Sequence, residues 1–446
     1  MIFDPVESIS VDERAALQTQ RLRGLVDLLL AVDGGLQGER LRAAGIDSGT
    51  DVTLADLPHL PTVGKRDLWD AYPFGMLAVP IEDCACVHGS SGTSGRPTLV
   101  AYTDADLDLW AQVVARSLVG AGATRKSLIH NAYGYGLFTG GLGIHHGARA
   151  LGATVVPMSG GQTARQLRLI QDLKPDVLTC TPSYAVYLGE VARAEGMDPA
   201  SLSLKVGIHG AEPWTDAMRA QIEELLGIRA LDIYGLSEII GPGVACETLH
   251  SGGWLHVQDD LFLVEALDPA TGQPVPDGEL GELTFTTLTK QALPLLRYRS
   301  GDLARLDRAP TPVDRAPTPV DDAETAWRTS VKMSKVVGRA DDMLIVRGVN
   351  VYPSEVEAVV LADPGVGPQY LLVIDERAAL PRMIVCCESD LDSSVVSARL
   401  VGALAKRLSV SCDVHVLPTG SLPRTEVGKA VRVSRWSSGD APVPGL

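Results

Sequence analysis

The chain lacks the features that mark several classes of protein. Its 446 residues contain only seven cysteines and no Cys-x-x-Cys pair, which favours reduced thiols in a cytoplasmic enzyme over a disulfide framework. No stretch reaches the ~18 apolar residues of a membrane-spanning helix, and the acidic first residues show no signal-peptide pattern. A formal net charge of -16 argues against general binding to nucleic acids or anionic membranes.

The length and the apolar pattern indicate an α/β protein of more than one domain. A chain of 446 residues exceeds a single ordinary hydrophobic core. From about residue 126 to 240, strand-like segments alternate with helical segments, which predicts parallel strands joined by helical crossovers. Beyond Asp341 the pattern is that of a separate α+β domain. The predicted divisions are a large domain over 1–340, a small domain over 341–436 and a disordered tail over 437–446.

The most informative stretch, residues 87–97, interleaves glycines with hydroxyl side chains. Small residues let backbone N–H groups approach an anion, hydroxyls add donors, and an arginine adds a fixed positive charge. The stretch matches neither G-x-x-x-x-G-K-[ST] nor G-x-G-x-x-G. By itself it suits either a polyphosphate-binding loop or a surface linker. Its candidate phosphate-binding residues are Ser90, Ser91, Gly92, Thr93, Ser94, Gly95 and Arg96.

Two further motifs follow predicted strands. Residues 209–213 read His-Gly-Ala-Glu-Pro, and residues 232–238 read Asp-Ile-Tyr-Gly-Leu-Ser-Glu. Ligands of open parallel sheets bind beyond the carboxyl ends of the strands, so these motifs can form two walls of one pocket. Glu238 can hold a hard cation such as Mg²⁺ against phosphate oxygens, or it can be a solvated loop carboxylate.

Three single residues outside these motifs are also candidates for a function. Asp302 ends the segment 297–302 and can accept hydrogen bonds from both hydroxyls of a ribose, or it is an ordinary turn acid. Asp341 lies where the composition changes, as a hinge would. Lys429 follows the flexible Gly428 and, taken alone, is a solvated side chain.

Together these windows resemble the adenylate-forming superfamily of acyl-CoA synthetases, adenylation domains and luciferases, and within it the phenylacetate–CoA ligases. The resemblance extends from about Leu57 to Lys429. Its further motifs begin at Asn131, Cys180, Gly210 and Tyr234. The resemblance implies a large N-terminal α/β domain, with mostly parallel sheets covered by helices, and a small mobile C-terminal α+β domain.

The resemblance also implies a two-step reaction and roles for single residues. ATP and a carboxylate give an acyl-adenylate and pyrophosphate, and a thiol then displaces AMP. Lys429 would bridge substrate and phosphate oxygens, and Glu238 would hold Mg²⁺. Asp302 would take the ribose hydroxyls, and Arg339 would assist near the ribose or phosphate. The other candidates for ATP and AMP binding are Ala211, Glu212, Pro213, Asp232, Ile233, Tyr234, Gly235 and Ser237.

The small domain of such enzymes rotates between the two steps. In this chain Asp341 would be the hinge, and the rotation would bring Arg347 and Gly348 to the channel for coenzyme A.

The acid pocket is the least determined part of the site. Its candidates are Tyr133, Tyr135, Phe138, His209, Gly210, Ala211, Ile239, Gly241 and Pro242. For the apolar members, ordinary core packing fits as well. His209 stands where relatives tend to carry Phe. It would favour a ring hydroxyl or amine on the acid if it lines the pocket, and otherwise it is a structural histidine.

The segment between Asp302 and the hinge departs from the resemblance. Many relatives carry metal-type cysteines there, whereas residues 307–320 repeat Asp-Arg-Ala-Pro-Thr-Pro-Val twice. The prolines exclude a regular helix, which predicts a mobile surface insertion. Cys246, His250 and His256 are too few for a closed zinc site, so no structural zinc is expected.

The predicted function is ATP-dependent activation of an aryl carboxylic acid, of the phenylacetate or substituted benzoate type, to acyl-AMP and transfer to the thiol of coenzyme A. The alternative is a stand-alone enzyme of natural-product biosynthesis that loads the phosphopantetheine of an acyl carrier protein, or an amine. Relatives are often homodimers. No nucleic-acid or membrane partner is expected.

Overall fold

The computed structural model describes residues 2–90, 97–313, 326–340, 344–346, 349–377, 382–408, 412–424 and 430–446. The helices are α1 (Val11–Ala31), α2 (Leu36–Ala43), α3 (Lys65–Asp70), α4 (Asp104–Gly120), α5 (Thr139–Leu151), α6 (Thr163–Leu173), α7 (Pro182–Ala194), α8 (Asp216–Leu226), α9 (Pro353–Val360) and α10 (Ser393–Leu408). The strands are β1 (Val63–Gly64), β2 (Cys86–Ser90), β3 (Thr98–Tyr102), β4 (Leu128–Asn131), β5 (Thr154–Pro157), β6 (Val177–Cys180), β7 (Val206–Gly210), β8 (Arg229–Leu236), β9 (Gly241–Glu247), β10 (Leu255–Val257), β11 (Phe262–Leu267), β12 (Leu280–Thr287), β13 (Tyr298–Asp307), β14 (Thr311–Val313), β15 (Ala326–Arg328), β16 (Lys332–Met333), β17 (Gly338–Arg339), β18 (Leu344–Val346), β19 (Val349–Val351), β20 (Tyr370–Asp375), β21 (Arg382–Glu388), β22 (Asp413–Leu417) and β23 (Val433–Trp436).

A 13-stranded sheet runs in the order β11-β12-β13-β16-β10-β9-β8-β7-β6-β4-β5, with β1 and β17 paired to β13. The pairs among β5, β4, β6, β7 and β8 are parallel. Strands β6 and β7 are buried along their whole length, as expected of parallel strands covered by helices on both faces. The predicted α/β fold class is therefore confirmed, and the carboxyl ends of these strands share one edge.

The other half of the sheet differs from the expectation of mostly parallel strands. From β8 to β9, and on through β10, β16, β13, β12 and β11, the pairing is antiparallel. A turn of four residues, 237–240, joins β8 to β9, and such a short connection permits only an antiparallel pair. The large sheet is thus mixed.

Local signals in the sequence set the helix boundaries. Thr103 caps α4 in a capping box with Asp106, and Thr181 caps α7, whose first residue is proline. Helix α8 ends at Gly227, whose φ of 66° suits glycine. One face of α7 and α8 packs on the parallel strands in an apolar cluster that includes Leu178 and Trp214.

The C-terminal residues form a separate four-stranded sheet in the order β22-β21-β20-β23. Helices α9 and α10 pack on one face of this sheet. The other face is covered by the last residues of the chain, where Val443 is 3 % exposed and Pro444 O lies 2.9 Å from the His415 ring. The structure therefore differs from the expected disordered tail over 437–446, because apolar tail residues fill this face. Among the described helices, none has the length and apolar character that crossing a membrane requires.

Candidate active site

The predicted motifs meet at the carboxyl edge of the parallel strands. Strand β7 ends at Gly210 and leads into Ala211, whose φ of 75° is unusual for a residue with a side chain. Such backbone strain collects at functional sites. Ala211 and Pro213 are exposed, and Tyr234 and Gly235 at the end of β8 are half-buried, so these adenine candidates are open to a ligand. Ile233 and Ser237 are buried.

The turn 237–240 carries Glu238 against the end of β2. Glu238 is 5 % exposed, and its Oε1 lies 3.4 Å from the Ser90 hydroxyl. Ser90 is the only residue of the predicted phosphate loop that the structure describes, and residues 91–96 lie outside the described residues. The β2–β3 hairpin pairs Ser90 with Thr98, so the two ends of that loop lie next to each other, and the Ser90 end lies beside the Glu238 carboxylate.

Buried polar groups hold the backbone of this turn. Lys290 Nζ donates to Glu238 O at 2.9 Å, and the Tyr102 hydroxyl lies 3.0 Å from Ser237 O and 3.2 Å from Ile240 O. Burial lowers the pKa of Lys290 to about 8. Sequence reasoning missed Lys290 and Tyr102, because neither lies in a motif and only the fold brings them to Glu238.

The ribose candidates also come together. Asp302 on β13 faces Arg339 on β17 in the sheet register, and Arg339 donates to its Oδ1 at 3.1 Å. The Tyr234 hydroxyl donates to Asp302 Oδ2 at 2.7 Å. The hydrogen bond from Tyr234 thus connects the end of β8 to the Asp302 carboxylate. A site that binds a nucleotide at both places would need them to lie this close together.

Asp232 is placed differently from the other adenine candidates. It is 8 % exposed, and its N–H donates to Glu247 Oε2 at 2.7 Å. Burial, followed by the charge of Glu247, raises the pKa of Asp232 to about 7, although Lys335 and Arg219 oppose the shift. Its carboxyl group is thus buried among the charged side chains of Glu247, Lys335 and Arg219.

Glu212 connects the adenine motif to the C-terminal domain. Its Oε1 accepts from Ser183 N at 2.8 Å at the start of α7, and its Oε2 accepts from Ala430 N at 2.9 Å. Ala430 follows Lys429 in the sequence, but Lys429 lies outside the described residues, as do Asp341, Arg347 and Gly348. The described chain next to Lys429 therefore reaches the candidate site.

The acid-pocket candidates gather around the start of α5. Tyr135 and Pro242 are half-buried and Phe138 is exposed, whereas Tyr133, Gly210, Ile239 and Gly241 are buried. The Tyr135 hydroxyl accepts from Asn131 Nδ2 at 2.8 Å and lies 3.2 Å from His145 Nδ1. A Cβ at Gly241 would lie 2.6 Å from the Trp110 ring, so glycine permits this close approach.

His209 does not face this pocket. It is fully buried, its Nδ1 lies 3.1 Å from Cys180 O, and its ring packs edge-on against Trp214. A Cβ at Gly207 would lie 2.2 Å from His209 Nε2, so the ring folds back along β7, away from the carboxyl end. Burial lowers its pKa to about 4. The structure thus corrects the expectation of a polar contact to the acid, and the structural interpretation is the one that fits.

In the described part of the chain, no group of three or more His, Cys, Asp or Glu residues is arranged to hold a metal ion. Cys246 and His256 are buried in the antiparallel half of the large sheet, where the His256 ring lies 3.2 Å from the Ser330 hydroxyl. The heptapeptide repeat is described up to residue 313, where β14 pairs with β15, and its remainder lies outside the described residues.

An edge that brings together candidate groups for phosphate, a cation and a ribose fits an enzyme that uses a nucleotide. The sequence matches the AMP-binding enzyme family over residues 26–288 and the AMP-binding enzyme C-terminal domain over residues 348–435. The chain belongs to this family of AMP-binding enzymes. It is an AMP-forming acid–thiol ligase, as the sequence predicted, and it lies in the branch that resembles phenylacetate–CoA ligase.

Curated relatives support this placement along nearly the whole chain. The phenylacetate-coenzyme A ligase of Thermus thermophilus is 46% identical over 97% of this chain and 99% of its own length. That of Escherichia coli is 46% identical over 97% of both chains.

A solved relative also matches the arrangement of the two domains. A 2-hydroxyisobutyryl-CoA ligase in the postadenylation state, 26% identical, gives a TM-score of 0.87 over 97% of this chain and 92% of that chain. The same ligase in the thioesterification state, with CoA, gives 0.69 over 97% and 91% at 27% identity. The present arrangement is therefore more similar to the postadenylation state.

Proposed function

We propose that the protein activates phenylacetate, or a closely related aryl acid, with ATP and transfers it to coenzyme A. The observation that carries this proposal is the identity of 44% to 46% with four phenylacetate-coenzyme A ligases over 97% of the chain. The geometry of the site supports it, because one strand edge presents residues suited to phosphate, ribose and adenine.

ATP would lie along this edge from the hairpin to β13. Ser90 and residues 91–96 would bind the β- and γ-phosphates, Ala211, Pro213 and Tyr234 would frame adenine, and Asp302 with Arg339 would bind the ribose. Asp302 already accepts hydrogen bonds on both oxygens, from Tyr234 and Arg339, which hold its carboxylate in place. The ribose hydroxyls would donate to the same oxygens, either beside these two donors or instead of them. Because Asp232 is buried, it would act without direct contact to ATP.

Glu238 would hold Mg²⁺. One carboxylate beside a phosphate loop fits this ion, which is usually bound by one or two carboxylates together with substrate phosphates and water. When bound, the ion would neutralise charge on the phosphate oxygens. The protein's own contribution is to keep the Glu238 carboxylate within 3.4 Å of the Ser90 hydroxyl at the phosphate loop.

In the first half-reaction, a carboxylate oxygen of the acid attacks the α-phosphorus of ATP, and the bond to the bridging oxygen breaks to release pyrophosphate. Catalysis of such a step is mostly positioning and electrostatic stabilisation. Lys429 would contribute a positive charge to the oxygens that carry the developing negative charge. In the second half-reaction, the thiol sulfur attacks the acyl carbon and AMP leaves, after rotation about Asp341 has brought Arg347 and Gly348 to the channel.

The acid pocket favours an unsubstituted ring. The ring of His209 turns away from the carboxyl edge, and the Tyr135 hydroxyl is engaged by Asn131 and His145. Of the polar candidates, His209 is therefore turned away and Tyr135 is already engaged, whereas Phe138, Ile239 and Pro242 offer apolar surface.

Coenzyme A is the proposed acceptor. The alternative acceptors, a carrier protein or an amine, are not favoured by relatives that are CoA ligases. A cytoplasmic location and a homodimer stay predictions.

The test is pyrophosphate release with ATP, Mg²⁺ and a panel of aryl acids, each with and without coenzyme A. We expect release that depends on phenylacetate, turns over with coenzyme A and yields phenylacetyl-CoA. Release without any acyl-CoA would favour a carrier protein or an amine as the acceptor. No release with any acid of the panel would contradict the proposal.

A further inference from the structure

We propose that Lys290, acting with Tyr102, is a positioning residue for the adenylation half-reaction: it fixes the turn 237–240 so that Glu238 faces the phosphate loop. The inference rests on the proposed function of Glu238. Neither residue touches the candidate ligand-binding surface, because both are buried beneath the turn, with Lys290 only 1 % exposed.

The turn is held by three contacts to its backbone. Lys290 Nζ binds Glu238 O at 2.9 Å, and the Tyr102 hydroxyl lies within hydrogen-bond distance of both Ser237 O and Ile240 O. The Lys290 ammonium also lies over the Tyr102 ring, 4.9 Å from its centroid. Two buried side chains that contact each other thus support three of the four residues of one turn.

The position of Lys290 is itself fixed by α4. The Asp106 carboxylate accepts from Gln291 N at 2.7 Å and from Ala292 N at 2.9 Å, and also caps the start of α4 through Thr103 N at 3.0 Å. The backbone on the C-terminal side of Lys290 is therefore attached to the same helix end that follows Tyr102 in the sequence. This assembly links α4, β3 and the turn into one rigid support.

A buried lysine beneath the turn is energetically less favourable than an apolar side chain would be. Burying an ammonium group is unfavourable unless it is paired, and an apolar side chain of similar volume would fill a core at lower cost. The Lys290 charge lies within electrostatic reach of both Asp106 and Glu238. It therefore adds positive potential beneath the place where the polyphosphate of ATP would bind, which a purely apolar support would not provide.

The test compares Lys290→Met and Lys290→Arg with Lys332→Met, the matched control. Lys332 is also a largely buried lysine, paired with Asp307 at 2.8 Å, but it lies on β16 and makes no contact with the turn. Three quantities are measured for each variant: the Kd of ATP with Mg²⁺ and with EDTA by calorimetry, the rate of acid-dependent pyrophosphate exchange, and the rate of thioester formation from synthetic acyl-adenylate.

We expect Lys290→Met to slow pyrophosphate exchange roughly 10- to 100-fold, as is typical when a residue that orients a metal-binding group is lost. Thioester formation should change by less than about threefold, the Kd of ATP should rise mainly when Mg²⁺ is present, and Lys290→Arg should recover part of the loss. Lys332→Met should leave the ratio of the two half-reactions unchanged. An equal loss in both half-reactions, or a Kd that rises equally with Mg²⁺ and with EDTA, would overturn the proposal.

Tyr102→Phe keeps the proposal testable if Lys290→Met does not fold. It removes only the hydroxyl that binds Ser237 O and Ile240 O and keeps the ring beneath Lys290. It should show the same selective slowing of exchange, by roughly threefold to tenfold, and an unchanged ratio of half-reactions would contradict the inference. A wild-type enzyme without aryl-acid activity would contradict the proposed function instead, and the ATP affinities would still test the role of Lys290.

Discussion

Glu238 and Asp302 lie at the same sheet edge, but the protein holds them by different atoms. Asp302 is fixed through its carboxylate, which accepts hydrogen bonds from Tyr234 and Arg339. Glu238 is fixed through its backbone, which Lys290 binds from below, whereas its carboxylate lies beside the hydroxyls of Ser90 and Tyr298. The difference fits two tasks: one carboxylate is arranged for directional hydrogen bonds to a sugar, and the other offers its charge to a cation.

The first test of this comparison concerns Lys429, the cation that is proposed to act on the phosphate side. Lys429→Ala should reduce acid-dependent pyrophosphate exchange by roughly 1000-fold, since one stabilising charge at the reacting phosphate is lost. Thioester formation from synthetic acyl-adenylate should be nearly unchanged. Lys406→Ala, at the exposed end of α10, is the control. Equal loss of both half-reactions would contradict the proposal that each of the two domain arrangements serves a different half-reaction.

Glu238→Gln tests the charge on the phosphate side. The amide keeps the size of the side chain but not its negative charge, so exchange should fall roughly 100-fold and the Mg²⁺ concentration needed for half-maximal rate should rise. Titration of the exchange rate with Mg²⁺ measures both effects. Glu279→Gln, in an exposed turn, should behave as wild type. An unaltered Mg²⁺ requirement would remove Glu238 from the proposed metal site.

Asp302→Ala tests the ribose side. Loss of a charged acceptor should weaken ATP binding roughly 10- to 100-fold, and by the same factor with Mg²⁺ and with EDTA, because the ribose contact does not involve the ion. Calorimetry with ATP provides the measurement. Asp307→Ala, on the same strand, is the control. Unchanged ATP affinity would eliminate the ribose assignment.

Asp232 is a buried titratable group beside the candidate site. Its pKa of about 7 in the folded protein lies above the ordinary 3.8, so the folded state binds more protons between these values. Stability contributed by Asp232 therefore decreases as the pH rises through this window. Asp232→Asn should gain at least about 2 °C in Tm relative to wild type between about pH 5 and about pH 8. Asp268→Asn removes a half-buried carboxyl whose pKa is lowered by hydrogen bonds from the backbone of Thr271 and Ala270, and it should show no such gain over that range. An equal gain in both variants would refute the assignment.

The smallest expected effect concerns His209. Because its ring folds back from the strand end, His209→Phe should leave the order of preference among phenylacetate, hydroxybenzoates and aminobenzoates unchanged, with relative rates within about threefold. Tyr135→Ala, which removes a whole ring from the pocket candidates, should alter that order. Pyrophosphate release with the acid panel measures both. A changed order in His209→Phe would return His209 to the pocket.

The part of the site that could be predicted consists of residues within short motifs at strand ends. Glu238, Tyr234 and Asp302 stand in such motifs, and the structure brings them to one sheet edge, while their roles stay predictions. Lys290 and Tyr102 were not recognisable, because a support for backbone carbonyls can come from any element that folds beneath the turn. The roles of Lys429 and Asp341 stay predictions, since both lie outside the described residues.

The sequence by itself determined the alternation of strands and helices from about residue 126 to 240, the family and the chemistry of its motifs. These are local properties, set by apolar period, by short connections and by residue type. Only the tertiary structure decided that the sheet becomes antiparallel beyond β8, that the C-terminal tail covers a sheet face, and that His209 and Asp232 are buried. These outcomes depend on which side of a strand meets which neighbour, and that is fixed by packing between segments far apart in the chain.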